Sequence, residues 1–246
     1  IAEAEKQAIW DEWFGKNDSK LKTSSILYSD QERAWIAQKH TVQVRVADRP
    51  PFIYLDKGRP AGLSVDLIDE VSKRTGIQFH YVLPPRSFKE DLNGLIQHVG
   101  PDLILTLTPT KEREKIIDFT EAYMSSPKFI FTRDNTPFVA SLEEMDNKTI
   151  AVVDGFIVHD ILARDYPKIN LLIVKNSKDA LNAVSSGQAD AFIDSIFTTP
   201  AMINRYGFNN LKATAQADTL PVSYASMGTR NDWPELRDIL NKAIDT

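Results

Sequence analysis

Short apolar runs alternate with amphipathic helical patterns along most of this 246-residue chain, and that alternation limits the fold more than any other feature. His40–Ala47 sets Val42, Val44 and Val46 at strand period, and Ser64–Arg74 sets Leu67, Ile68 and Val71 on one helical side, with Gly76 behind. Ile77–Leu83 returns as a strand. Ser87-Phe88-Lys89-Glu90 has capping-box spacing ahead of an apolar face of Leu92, Leu95, Ile96 and Val99, and Asp102–Leu107 is a third strand. Strand–helix–strand–helix–strand order predicts a mostly parallel sheet with helices on its faces. Ser141–Met145 reads as a short capped helix, and the pattern then repeats. Thr149–Val153 and Leu171–Val174 read as strands, each followed by a helix, the first running to Tyr166 and the second over Ser177–Ser186. Thr198–Tyr206 is helical, Leu211–Thr214 is a strand, and Asp232–Ile244 is a closing helix with Pro234 in its first turn. The length suits two lobes of roughly a hundred residues, each with its own core.

Composition excludes several classes of function. A formal charge of −5 and the absence of a basic stretch argue against nucleic acid as partner. The chain has no cysteine, so disulfides and thiol chemistry are excluded. No apolar run reaches membrane-spanning length. His40, His80, His98 and His159 follow no metal-ligand spacing, and no hydrolase, zincin, phosphate-loop or dinucleotide fingerprint occurs, so neither metal nor cofactor is expected.

Chemistry concentrates in Thr106–Tyr123, TLTPTKEREKIIDFTEAY. Leu103-Ile104-Leu105 reads as a buried strand that Thr108-Pro109-Thr110 stops, because Pro109 has no N–H for a ladder. Glu112–Ile117 is expected to be helical, which puts Arg113 about one turn after Thr110. Such a turn leaves backbone N–H groups pointing outward. Thr108 and Thr110 hydroxyls beside the planar fork of Arg113 would complete a carboxylate site. The same residues equally fit a Thr110 helix cap with Arg113 paired to a surface glutamate.

T-P-T-K-E-R-E-K-I-I-D-F-T-E-A-Y resembles the signature of the type II periplasmic solute-binding fold, bacterial family 3, approximately T-x-T-x-E-R-x-K-x-x-D-F-S-x-P-Y. Thr120 stands where serine is usual and Ala122 where proline is usual. The resemblance implies that Thr108 and Arg113 hold a ligand carboxylate. Asp48-Arg49-Pro50-Pro51-Phe52 is similar to the family's first cleft loop, which makes Phe52 and Tyr54 candidates for a stacking wall; Arg49 is expected to be solvated. Asp154-Gly155-Phe156 lies at a strand-to-helix turn, where exposed amides suit an anion. The family uses this loop to finish the carboxylate cage, so Gly155 and Phe156 are carried as ligand-binding candidates. Asp154 beside them either caps the helix or meets an amine.

Gly187-Gln188-Ala189-Asp190-Ala191 resembles the family's G-x-A-D-A strand. Amino-acid-binding members place an aspartate five residues after the motif aspartate, against the ligand's ammonium. Here that position is Ser195, and Asp194 precedes it by one residue, on the opposite side of a strand. Either Asp194 serves, or the ligand lacks an amine there. Both residues are carried as candidates.

The resemblance covers His40 to the end of the chain. It implies an α/β, two-lobed, Venus-flytrap fold of mixed, mostly parallel sheets joined by two crossover strands. Lobe 1 is expected over residues 40–122 plus 224–246, and lobe 2 over residues 127–219. Residues 1–39, with a helix over Ile1–Phe14, a stop at Gly15, a loop at Lys16–Ser25 and a second helix opened by Ser29 and Glu32 at capping-box spacing, resemble the junction from an upstream module. The implied function is an extracytoplasmic sensor of an amino acid or small carboxylate, bound in an interlobe cleft and signalled by hinge closure. Such a module belongs to the periplasmic part of a membrane histidine kinase, with neighbouring modules of the same receptor, or a second copy as a homodimer, as partners. The alternatives are a free transporter-linked binding protein, a dehydratase-like enzyme, with Asp154 or Asp194 as acid–base candidates, and a closed, empty structural transducer.

Overall fold

The structure, a computed structural model, describes residues 27–83 and 85–245. The helix expected over Ile1–Phe14, its stop at Gly15 and the loop Lys16–Ser25 lie outside the described residues. The chain divides into two compact units. The first runs up to Arg86, then over Glu90–Met124 and from Tyr224 onward; the second comprises Ser87–Lys89 and Ser125–Ser223.

In the first unit, helix α1 (Asp30–Ala37) precedes strands β1 (Thr41–Arg45), β2 (Tyr54–Asp56) and β3 (Arg59–Ala61), helix α2 (Leu63–Thr75) and strand β4 (Gln78–Val82). Helix α3 (Phe88–Ile96), which starts in Ser87–Lys89, leads to β5 (Leu103–Leu107), β6 (Ile117–Phe119) and β7 (Met124–Ser126). Strand β13 (Ser223–Arg230) and helix α7 (Pro234–Asp245) complete it. The sheet order is β4-β1-β5-β13-β6, with β7 on β13. Strands β4, β1 and β5 are parallel, whereas β13 runs antiparallel to β5 and β6, so the sheet is mixed. Val42 and Val44 point into a core with Leu67, Ile68, Val71, Leu103, Leu105, Leu236, Ile239 and Leu240. That face uses strand period 2 against helical period 3.6, as the sequence pattern requires.

Helix α1 belongs to this core, because Trp35 is buried in it. The Ser29 hydroxyl accepts from Glu32 N and the Glu32 carboxylate accepts from Ser29 N, the reciprocal capping box. The same carboxylate takes the Lys242 ammonium of α7 at 2.6 Å. Trp35 stacks on His40 at 4.5 Å and meets Trp233 edge-on at 5.6 Å.

The second unit holds β8 (Lys128–Arg133), β9 (Thr149–Val153), α4 (Ile157–Asp165), β10 (Asn170–Val174), α5 (Ser177–Ser185), β11 (Ala191–Ser195), α6 (Thr198–Tyr206) and β12 (Leu211–Gln216). Its sheet order is β10-β9-β11-β8-β12, parallel over β10, β9 and β11 and antiparallel over β8 and β12. The sheet is covered on both faces. Ile150, Val152, Ile130 and Ile193 pack with Val158 and Leu162 of α4. Ala151, Val153 and Phe192 pack with Leu181 and Val184 of α5 and Met202 of α6. Two-sided burial is why β9 reads as a nearly continuous apolar run rather than as an alternating one.

Three local expectations are corrected. The helix expected over Glu112–Ile117 is a single 3-10 turn, Arg113–Lys115. Ile117 instead opens β6, paired with Arg230 of β13, and this ladder overrides the helical propensity of the charged residues before it. Val99 is not on the apolar face of α3, which ends at Ile96; the chain turns through His98 at φ 56° and leaves Val99 75% exposed. The short helix expected over Ser141–Met145 is one 3-10 turn, Glu143–Met145.

Candidate functional site

The turn after β5 closes on itself through Arg113. Its Nη1 donates to the Thr108 carbonyl at 2.9 Å, and its backbone N–H donates to Thr110 Oγ1 at 3.2 Å. Glu114 N donates to Thr110 O at 2.9 Å. The Thr108 hydroxyl donates to Tyr224 O of β13 at 3.2 Å, so the turn is also fixed to the neighbouring strand. Thr108, Thr110 and Arg113 are all half-buried. Thr110 Oγ1 thus braces the turn rather than capping a helix, since the 3-10 turn that follows has Glu112 at its cap position without a side-chain bond, and Arg113 is folded over the same turn. Anchoring one nitrogen fixes the plane of the guanidinium fork, the property that a bidentate carboxylate contact requires.

The rest of the signature supports the turn from below. Tyr123 OH donates to Leu105 O at 2.8 Å and bonds Ser64 Oγ of α2 at 2.8 Å, and burial pushes the phenol well above its usual range. Thr120 Oγ1 accepts from Met227 N at 2.9 Å, so the residue in the serine position ties β6 to β13. Asp118 pairs with Arg237 of α7 at 3.0 Å.

Phe52 does not form an open wall: it is 5% exposed and belongs to the core with Ile53, Leu63 and Leu67. Its carbonyl and that of Pro51 accept from Ser64 N and Leu63 N at the start of α2. Tyr54 lies half-buried on β2 opposite Ala61. Arg49 is half-buried rather than solvated, in a loop bridged to Ile53. Beneath this loop, Asp91 joins two guanidiniums, Arg45 at 3.1 Å and Arg86 at 2.8 Å. Burial pushes Arg45 down to about 10 despite that carboxylate.

In the second unit, Gly155 takes φ 82° at the turn into α4, and a Cβ there would stand 3.3 Å from the Phe88 ring. Phe88 meets Phe156 edge-on at 4.9 Å. Gly155 and Phe156 thus face an aromatic ring at the N-terminus of α4. Asp154 does not cap that helix; Phe156 holds the cap position without a side-chain bond, and Asp154 pairs with Lys89 at 3.0 Å.

Asp194 and Ser195 are buried side by side on β11. Asp194 Oδ1 accepts from Ser195 N at 2.8 Å. Ser195 Oγ lies 2.7 Å from Ser126 Oγ and accepts from Phe197 N at 3.1 Å and Thr198 N at 3.3 Å at the start of α6. Sequence reasoning passed over Ser126 and Lys128. Lys128 pairs with Ser195 across the ladder, is 2% exposed and donates to Pro221 O. Its signal was a lone cation heading the apolar run Phe129-Ile130-Phe131.

Among the described residues no group of three or more His, Asp or Glu is placed to hold a metal, and no helix is long and apolar enough to cross a membrane.

The model of the bacterial extracellular solute-binding proteins, family 3, matches residues 42–246. The virulence sensor protein BvgS of Bordetella bronchiseptica is 25% identical over 99% of this chain, which spans 20% of that protein's length. The amino-acid-binding protein AabA of Dichelobacter nodosus is 27% identical over 79% of this chain and 76% of its own. A doubly substituted VFT2 domain of Bordetella pertussis BvgS superposes with a TM-score of 0.78 at 26% identity, covering 90% of this chain and 94% of that domain. The two-lobed α/β fold with mixed sheets is therefore that of periplasmic binding proteins.

Proposed function

Since the chain belongs to the bacterial extracellular solute-binding proteins, family 3, we propose that it binds a small carboxylate, an amino acid or organic acid, on the Thr108–Arg113 turn and acts as an extracytoplasmic sensor module. The observation that carries this reading is the guanidinium of Arg113, fixed on Thr108 O at 2.9 Å within a half-buried turn that also holds two threonine hydroxyls. Gly155, Phe156, Asp194, Ser195 and Tyr54 remain candidates for the other ligand contacts, whereas the burial of Phe52 gives it a supporting role.

Similarity to BvgS across nearly the whole chain supports the sensor role and an output through a histidine kinase, with neighbouring modules of the same receptor as partners. Binding would be signalled by hinge closure about the two crossings of the chain, through the ligand's higher affinity for the closed state. Calorimetric titration of the purified chain with amino acids and small organic acids tests the binding. A saturable heat that Arg113→Ala abolishes is expected; no binding to any acid, with Arg113→Ala silent, overturns it. Signal readout in the full receptor carrying Arg113→Ala separates a sensor from a free transporter-linked binding protein.

A further inference from the structure

Given the carboxylate site proposed above, on which this step rests, we infer that Thr108 couples that site to the return crossing of the chain. Its hydroxyl turns from Tyr224 O to the ligand on binding, and occupancy thereby releases the first residues of β13. Thr108 stands between the two structures. Its carbonyl accepts from Arg113 Nη1 at 2.9 Å, and its hydroxyl donates to Tyr224 O at 3.2 Å. Tyr224 is the residue at which the chain re-enters the first unit, directly after Ser223 of the second. Thr108, Arg113 and Tyr224 all belong to the first unit.

The sequence explains why a side chain makes this bond. Strand β13 runs antiparallel to β5, with Ser226 opposite Leu107. Carried past the end of β5, that register sets Tyr224 opposite Pro109, which has no N–H to donate. The Thr108 hydroxyl supplies a donor where the ladder stops. The bond is a weak one, because O–H···O bonds cluster at about 2.5–3.0 Å and this one is longer. It joins neutral groups, whereas a bond to a carboxylate is about twice as strong. A hydroxyl has one proton and cannot serve both acceptors at once. A carboxylate seated on the Arg113 fork lies beside the residue to which that fork is tied, and it takes the Thr108 hydrogen bond from Tyr224 O. Thr110 offers no such exchange, since its oxygen accepts from Arg113 N and its proton is given to no acceptor among the described residues.

The test reads the Tyr224 carbonyl directly. Tyr224-Ala225 is the only tyrosine–alanine step in the sequence, so labelling with carbonyl-13C tyrosine and 15N alanine isolates that carbonyl as a single resonance. The purified chain is titrated with the common L-amino acids, succinate and glutarate, and the acid that binds is carried to saturation. The Tyr224 carbonyl is expected to move upfield, the direction in which a carbonyl shifts when it loses a hydrogen bond. In Thr108→Val the resonance is expected upfield before any acid is added and unmoved afterwards, and Thr108→Ser is expected to restore the wild-type shift. Should Thr108→Val fail to fold, the direction of the wild-type shift decides alone. A carbonyl that stays in place or moves downfield at saturation, or a Thr108→Val chain that shifts as wild type does, with binding still lost in Arg113→Ala, overturns this inference and leaves the carboxylate site standing. Binding of no acid in the panel, with Arg113→Ala silent, overturns both.

Discussion

Arg113 Nη1 donates to the carbonyl of Thr108, five residues earlier, at 2.9 Å, and thereby closes the turn that follows the third parallel strand of the first sheet. The bond orients the fork as well as the chain. Arg113→Lys keeps the charge and loses the planar pair of donors. Binding of a carboxylate ligand should fall by roughly tenfold in Arg113→Lys, about 1.4 kcal/mol, and further in Arg113→Ala. Calorimetry on the three proteins gives the order. Equal affinity of wild type and Arg113→Lys would mean that the guanidinium geometry is irrelevant.

Gly62 and Gly58 both have positive φ, 122° and 81°, but their surroundings differ. A Cβ at Gly62 would lie 2.4 Å from Phe52 O, which accepts Ser64 N at the start of α2, whereas nothing stands within 4 Å at Gly58. Gly58→Ala should cost about 1 kcal/mol, the penalty of a left-handed backbone. Gly62→Ala should cost at least twice that, because only backbone atoms can yield. Urea unfolding of the two variants compares them directly, and equal costs would refute the close approach.

Asp102 holds three strands of one sheet at a single carboxylate. It accepts Gln43 N of β1 at 2.9 Å and Arg230 Nη1 of β13 at 2.8 Å, just before β5 begins. Its side chain is 10% exposed. Asp102→Ala strands an amide and a largely buried guanidinium, so a loss of about 3 kcal/mol is expected. Chemical denaturation measures it, and a change below about 1 kcal/mol would show that Asp232 alone satisfies Arg230.

Asp232 and Asp118 should move acid stability in opposite directions. Hydrogen bonds from Arg230 hold the Asp232 carboxyl below its usual value of 3.8. Its stabilisation is then complete above that value and is lost as pH falls through the lower folded value. Burial raises the Asp118 carboxyl, so its cost is present at neutral pH and is relieved as pH falls through the raised value. Unfolding free energies measured from pH 7 to pH 3 should show a shallower acid decline for Asp232→Asn and a steeper one for Asp118→Asn. The Asp232 effect will be small, since its side chain is 45% exposed.

The alternation of apolar runs and helical faces made both α/β units legible, because each face obeys one period. Capping at Ser29 and Glu32 was legible for the same local reason. The structure of Glu112–Ile117 was not, since pairing with β13, more than a hundred residues later, converts a helical pattern into a turn and a strand. Phe52 illustrates a further limit: an aromatic residue in a loop motif gives no sign of whether its ring faces ligand or core. Lys128 was hidden because a single cation at the head of an apolar strand gains meaning only from the residue opposite, Ser195.

Glu32 serves two structures at once, the cap of α1 through Ser29 N and the link to α7 through Lys242 Nζ, which also donates to Leu27 O at 3.1 Å. The pair is asymmetric in burial: the Glu32 side chain is 6% exposed and that of Lys242 37%. Lys242→Met should therefore leave a buried carboxylate that still caps its helix. Glu32→Ala should remove both the cap and the link, and should destabilise more, by about 2 kcal/mol. If α1 is held to α7 by this pair, the double variant will cost less than the sum of the singles, by a coupling of about 1 kcal/mol. Limited proteolysis at the 27–40 segment should report the same order of release, with Glu32→Ala cleaved fastest. Strict additivity, with no change in cleavage, would mean that Trp35 against His40 and Trp233 is enough to seat the helix.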